Sequence, residues 1–201
     1  MDIKVAILGN SGVGKTCIIT RYVKKIFKNN FASTIGVNSV EKIIKRGNDK
    51  YTLNIWDTAG QEKYKSLSKH FYRDAYIIVL IYDITNQNSF DSLKEQWFPD
   101  VQTYAENCVV LGIVGNKADL YDNEKVVNED DARDFASEIG AVFSLVSAKS
   151  GLNISIFFEN LLNKFLEDDV QKKVNDIEKR RRSSSSYDIN SPYKKKIKKC
   201  C

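Results

Sequence analysis

At 201 residues, with 42% hydrophobic and 28% charged residues, the chain suits one ordinary domain with a full core and some excess length. No stretch approaches the roughly 20 consecutive apolar residues of a membrane-spanning helix, and Met1-Asp2-Ile3-Lys4 does not open a secretory signal, so a protein of the cytosolic side is expected. The net charge of +5 is uneven: from Val170 onward eleven Lys or Arg stand against three acids, leaving twenty against twenty-three in residues 1–169. A slightly acidic body argues against nucleic acid as the partner, whereas a basic chain end suits an anionic membrane face. A solvated basic tail is the plainer alternative.

In chain order, Ile3 to Leu8 is an apolar run ending at Gly9, and Lys15 to Lys25 repeats apolar residues Ile18, Ile19, Tyr22 and Val23 at helical spacing. Val40 to Arg46 and Tyr51 to Trp56 flank Gly47-Asn48-Asp49, which predicts a hairpin. Tyr76 to Tyr82, Cys108 to Val114 and Ala141 to Val146 are nearly unbroken apolar runs, as expected of strands covered on both faces. Helices are predicted over Ser89 to Ala105, Asn128 to Ile139 and Leu152 to Leu166, with Asn128 as a cap and Glu129, Asp130 and Asp131 complementing the helix end. This alternation implies an α/β domain with a mostly parallel sheet and one antiparallel strand. After Leu166 the apolar periodicity fades, so 1–169 is expected to be the domain and 170–201 a disordered basic tail.

Gly9-Asn10-Ser11-Gly12-Val13-Gly14-Lys15-Thr16 fits G-x-x-x-x-G-K-[ST] between a strand and a helix, the place a phosphate-binding loop requires. Glycines let successive N–H groups wrap anionic oxygens, Lys15 adds charge at the terminal phosphates, and Thr16 offers a hydroxyl to Mg²⁺. Asn116-Lys117-Ala118-Asp119 follows a predicted strand at the sheet edge where ligands of open α/β sheets bind. A carboxylate there can accept from N1–H and N2–H₂ of guanine, a pair adenine lacks. Ser147-Ala148-Lys149 follows the last strand at the same edge, where the Ala148 N–H could meet guanine O6. Asp57-Thr58-Ala59-Gly60-Gln61 begins at a strand end: the acid can hold Mg²⁺ through water, Gly60 can sense a terminal phosphate, and Gln61 can orient an attacking water. Thr34, in the loop Ser33-Thr34-Ile35-Gly36, could close on Mg²⁺ only when the third phosphate is present.

In this order and spacing, GNSGVGKT, STIG, WDTAGQE, NKAD and SAK resemble a small GTPase of the Ras superfamily over residues 3–166. Trp56 ahead of DTAGQE, Phe71-Tyr72-Arg73 and the terminal Cys-Cys resemble the Rab family in particular. The resemblance implies a Ras-like P-loop fold of six strands and five helices, and a GTP/GDP switch in vesicle traffic. It also implies Cys17 at the nucleotide, and Ile35, Gly36, Val37, Trp56 and Tyr72 on an effector surface. Its expected partners are an exchange factor, a GTPase-activating protein, a GDP-dissociation inhibitor or escort protein, a geranylgeranyl transferase and effectors, with the protein on the cytoplasmic face of endomembranes and in a cytosolic pool. The chain departs from the family pattern at Ser39, where an aromatic is usual, and at Asp74, where glycine is common.

Of four cysteines, Cys17 and Cys108 lie in apolar runs and read as small buried hydrophobes, although the resemblance places Cys17 at the ligand. The single histidine, His70, leaves no common zinc set. Cys200 and Cys201 sit behind Lys194-Lys195-Lys196-Ile197-Lys198-Lys199 and admit a disulfide, half a metal site or thiol modification. Adjacent cysteines reach disulfide geometry only with strain. The Rab-like ending implies geranylgeranyl groups on both, and two chains beside a polybasic stretch anchor stably where one does not.

Overall fold

The computed structural model describes residues 1–27, 37–58 and 72–187. Strands β1 (Asp2–Leu8), β2 (Val37–Arg46), β3 (Asp49–Thr58), β4 (Ile77–Asp83), β5 (Val110–Asn116) and β6 (Val142–Leu145) form one sheet in the order β2-β3-β1-β4-β5-β6. Only β2 and β3 pair antiparallel; the other neighbours are parallel, as the alternating pattern predicts. β4 is buried at every position, from Ile77 to Asp83, because helices cover both of its faces.

On one face α1 (Lys15–Lys24) and the later helix Ile154–Phe165 bury Ile18, Tyr22, Phe158 and Leu162, with the Tyr22 and Phe158 rings stacked 3.9 Å apart. On the other face lie α2 (Gln87–Ser92), α3 (Phe98–Tyr104), α4 (Tyr121–Glu124) and α5 (Glu129–Glu138). Ile154–Phe165 is thus α6. The expected cap of α5 is present, Asn128 accepting from the Asp130 N–H at 2.9 Å.

Two expectations change. The uninterrupted helix expected over Ser89 to Ala105 is split by a π-helical turn, Leu93–Trp97, closed by the Phe98 N–H on the Leu93 carbonyl. Pro99 follows immediately; it has no N–H for the Glu95 carbonyl and its ring crowds that carbonyl, so a regular α-turn cannot run through.

The second change lies in the tail. Asp168–Tyr187 is a helix, α7, where sequence composition suggests disorder. Val170 and Val174 are buried and Ile177 packs beside them, an i, i+4, i+7 stripe too short to stand out in a charged stretch yet sufficient once α6 offers an apolar surface. The Gln171 amide donates to the Phe165 carbonyl at 2.6 Å, satisfying the end of α6. Further along, Arg181 reaches Asp74 at 3.0 Å and its guanidinium lies 5.5 Å from the Tyr76 ring centroid, so the unusual Asp74 anchors the tail helix. That ion pair is exposed and contributes at most about 1 kcal/mol.

The valine stripe therefore carries α7. Val174→Asp is expected to destabilise the chain by about 2–4 kcal/mol and to abolish hydrogen-exchange protection over 170–181, whereas Arg181→Ala should cost under about 1 kcal/mol. Equal protection in the native chain and Val174→Asp would contradict this packing.

Candidate functional site

Parallel order brings the C-terminal ends of β1, β3, β4, β5 and β6 to one edge, and the loops that follow them converge there. The loop after β1 turns through left-handed backbone at Gly12 and Gly14, φ 80° and 93°. At Gly14 a Cβ would also stand 2.3 Å from the Asn116 amide nitrogen, so only glycine lets the loop close against β5. Gly14 precedes α1 and no side chain caps that helix, which leaves its first N–H groups pointing into the loop, the arrangement that binds anions.

Lys15 is 6% exposed, and its ammonium donates to the Gly9 and Asn10 carbonyls, both at 2.8 Å. Burial pushes it down from 10.5 to about 8, with Asp57 pulling the other way. The Thr16 hydroxyl donates to Asp57 Oδ2 at 2.6 Å, tying the loop to the end of β3. Asp57 is 4% exposed and its Oδ1 is a buried oxygen with no hydrogen-bond partner. Burial raises its pKa, opposed by the Thr16 hydrogen bond and by Lys15. An orphaned carboxylate oxygen beside a hydroxyl is the oxygen-donor chemistry of a hard divalent cation such as Mg²⁺, and the residues present fit one.

At the other end of the loop the Asn116 amide spans two segments: Nδ2 donates to the Val13 carbonyl at 2.8 Å and Oδ1 accepts from the Ala148 N–H at 3.2 Å. The Ala148 N–H expected at guanine O6 is thus directed to Asn116, and Asn116 acts as a strut between loops. Asp119 accepts from the Ser147 hydroxyl at 2.6 Å and lies 3.6 Å from the Lys149 ammonium. Lys117 adopts left-handed backbone, φ 69°, and its ammonium pairs with the buried Asp83 at 2.5 Å. Together these loops line a cleft of about 240 Å³ that includes Gly12, Gly14, Cys17, Asn116, Lys117, Asp119, Ala148 and Lys149.

Val13 is buried, Ser11 exposed at the rim and Asn10 half-buried. Cys17, half-buried, both packs against the core and lines the cleft, and burial raises its thiol pKa. Sequence reasoning missed four participants. Phe27 and Leu120 line the cleft, Asp83 holds Lys117, and Arg21 donates to the Ala148 carbonyl at 2.8 Å and to the Lys149 carbonyl. Leu120 directly follows Asp119, whereas Phe27, Asp83 and Arg21 lie in other segments from the residues they serve, so no spacing announces them.

The model of the Ras family matches residues 4–167. Human Ras-related protein Rab-31 is 34% identical over 200 residues, covering 100% of this chain and 97% of that protein. The chain belongs to the Rab branch of the Ras family. It is also 42% identical over 160 residues to Rab-3 of Caenorhabditis elegans, covering 79% of this chain and 72% of that protein. Rab-26 of Rattus norvegicus is 44% identical over 156 residues, covering 77% of this chain and 60% of that protein. The similarity thus spans less than two thirds of Rab-26.

Of the residues expected on an effector surface in this Rab-family chain, Trp56 and Tyr72 are those whose side chains are described. Trp56 is half-buried with the Lys4 ammonium 4.8 Å from its ring centroid, and Ser39, directly opposite it in the β2–β3 ladder, is exposed. Tyr72 is 1% exposed, packed with Leu8 and Ala75 on the inner face, and burial raises its hydroxyl; it does not present a surface. Thr34, Ile35, Gly36, Gly60, Gln61, Cys200 and Cys201 lie outside the described residues, and of Val37 only the backbone, at the start of β2, is described. Among the described residues no group of three or more His, Cys, Asp or Glu could hold a metal, and no helix is long and apolar enough to cross a membrane.

The buried Lys15 yields a pH test. Because its folded pKa is below 10.5, the folded nucleotide-free chain binds fewer protons than the unfolded chain between about pH 8 and 10.5, and stability rises with pH across that window. Phosphate oxygens beside the ammonium restore the charged form, so GTP binding near pH 9 should take up protons. Calorimetry in two buffers of different ionisation heat reads this uptake, which Lys15→Met should remove; equal apparent enthalpies for the native chain in both buffers would contradict it.

Proposed function

We propose that the chain is a GTP-hydrolysing switch that recruits effectors to membranes in its GTP form and regulates vesicle traffic. The observation that carries this reading is the cleft lined by Gly12 and Gly14 of the phosphate loop and by Asn116, Lys117 and Asp119, beside the Lys15–Thr16–Asp57 cluster and with Ser147 holding Asp119. The phosphate loop suits phosphates, and Asp119 presents a carboxylate to a base with two adjacent N–H donors, which is guanine. A P-loop kinase or ATPase would need a different base end.

With GTP in the cleft, the Gly12–Gly14 backbone and Lys15 neutralise phosphate charge as it shifts toward the leaving group. Thr16, Asp57 and, in the GTP state, Thr34 would hold Mg²⁺, which when bound supplies further charge neutralisation across the phosphates. Gln61 orients the attacking water, and Gly60 senses the terminal phosphate through its N–H. No arginine falls inside a phosphate-contacting motif, so intrinsic turnover is slow and a GTPase-activating protein supplies one. An exchange factor reopens the cleft. The relatives' Rab names support this cycle.

The purified chain is expected to hydrolyse GTP at roughly 10⁻⁴–10⁻² s⁻¹, with Gln61→Leu at least about tenfold slower and ATP unable to displace GTP at equal concentration. Turnover of tens per second without a partner, or unchanged turnover in Gln61→Leu, would refute the mechanism.

Membrane attachment is proposed through geranylgeranyl groups on Cys200 and Cys201, added by a geranylgeranyl transferase, with Lys194 to Lys199 adding attraction to anionic lipid. A GDP-dissociation inhibitor or escort protein would then maintain the cytosolic pool beside the form on the cytoplasmic face of endomembranes. Replacing both cysteines by serine should release the protein from membrane fractions while leaving GTP binding intact; retention on membranes would contradict the anchor.

A further inference from the structure

We propose that Trp97 is a positioning residue for the phosphate loop, acting through Asn10; the inference rests on the GTPase reading above. The Trp97 indole Nε1 donates to Asn10 Oδ1 at 2.7 Å, across 87 residues of sequence. Trp97 is 2% exposed and packs with the cluster that holds Leu8 and Leu80, so its ring is fixed. Asn10 in turn supplies, through its backbone carbonyl, one of the two acceptors that hold the Lys15 ammonium. A continuous path therefore runs from the helical layer to the phosphate lysine: indole, Asn10 side chain, Asn10 carbonyl, Lys15.

Two features separate this from ordinary core packing. A buried indole N–H needs an acceptor, and a backbone carbonyl nearby would serve a residue that only packs. Here the acceptor is the side chain of the second residue of the phosphate loop. The indole is also delivered by the π-helical turn Leu93–Trp97, whose extra residue per turn changes which side chain faces the loop. Such turns occur often at functional sites, and this one ends at the residue that makes the contact. Since an indole only donates, it also orients the Asn10 amide, oxygen toward the ring and nitrogen away from it.

Removing the donor leaves the packing and frees the loop. Trp97→Phe is expected to speed release of a fluorescent GTP analogue and to lower single-turnover hydrolysis, each by about two- to tenfold, the worth of one such hydrogen bond. Asn10→Ala should match it, and Trp97→Phe combined with Asn10→Ala should add little further, because both remove one bond. Should Trp97→Phe fail to fold, Asn10→Ala tests the same bond from the loop side. Release and hydrolysis within twofold of native in Trp97→Phe, or in Asn10→Ala, would overturn the proposal, as would full additivity of the two losses. A native chain that binds no guanine nucleotide would overturn the proposed function and this inference with it; a native chain that binds while the variants behave like it overturns this inference alone.

Discussion

The site depends on one buried side chain, the Asn116 amide at the end of β5. It is 2% exposed and bonded on both sides, to the Val13 carbonyl in the phosphate loop and to the Ala148 N–H after β6. Remove it and a carbonyl and an N–H are stranded in a dry interior, at about 1–3 kcal/mol each, a large share of a domain's net stability. The cleft exists because this amide holds its two ends at a set distance. Gly14 is glycine for the same reason, since the amide occupies the space a Cβ would need.

Electrostatics at the phosphate end are prepared before any ligand arrives. Lys15 is charged at neutral pH although buried, held by two carbonyls, and Asp57 keeps one oxygen bonded to Thr16 and the other unpaired. Each group carries a desolvation cost that the rest of the fold offsets, and each cost is lowered by an ion of opposite charge. That is how a folded chain stores affinity for phosphates and a divalent cation: the polar groups are fixed and need little reorganisation on binding. At the base end, Asp119 is held by Ser147 and faces Lys149, a milder, partly exposed setting that suits hydrogen-bond readout.

Chain-specific residues cluster away from the cleft. Ser39 leaves an exposed position beside the Trp56 ring in the β2–β3 ladder, where an aromatic would add buried area to an interface. Asp74 anchors Arg181 of the tail helix and accepts from the Asn107 amide at 3.3 Å, joining the chain's last described helix to the entry of β4. Both departures from the family pattern change surfaces and leave the nucleotide cleft as the motifs describe it.

Much of this was legible in the residues alone. Apolar runs of strand length alternating with helical periodicity specified the sheet and its class, and contiguous motifs such as Gly9 to Thr16 and Asn116 to Asp119 named their chemistry because each needs neighbouring residues in one short loop. Tertiary structure decided what depends on contacts between distant segments. Tyr72 is buried in the cluster that holds Leu8 and Phe90, α7 formed because α6 offered Val170 and Val174 an apolar partner, and the π-helical turn before Pro99 brought Trp97 to Asn10. Phe27 joined the cleft, and Arg21 and Asp83 came to hold Ala148 and Lys117 beside it, by the same route. A local motif carries its own geometry, while a residue that serves a site from another element has no signature until the chain has folded around it.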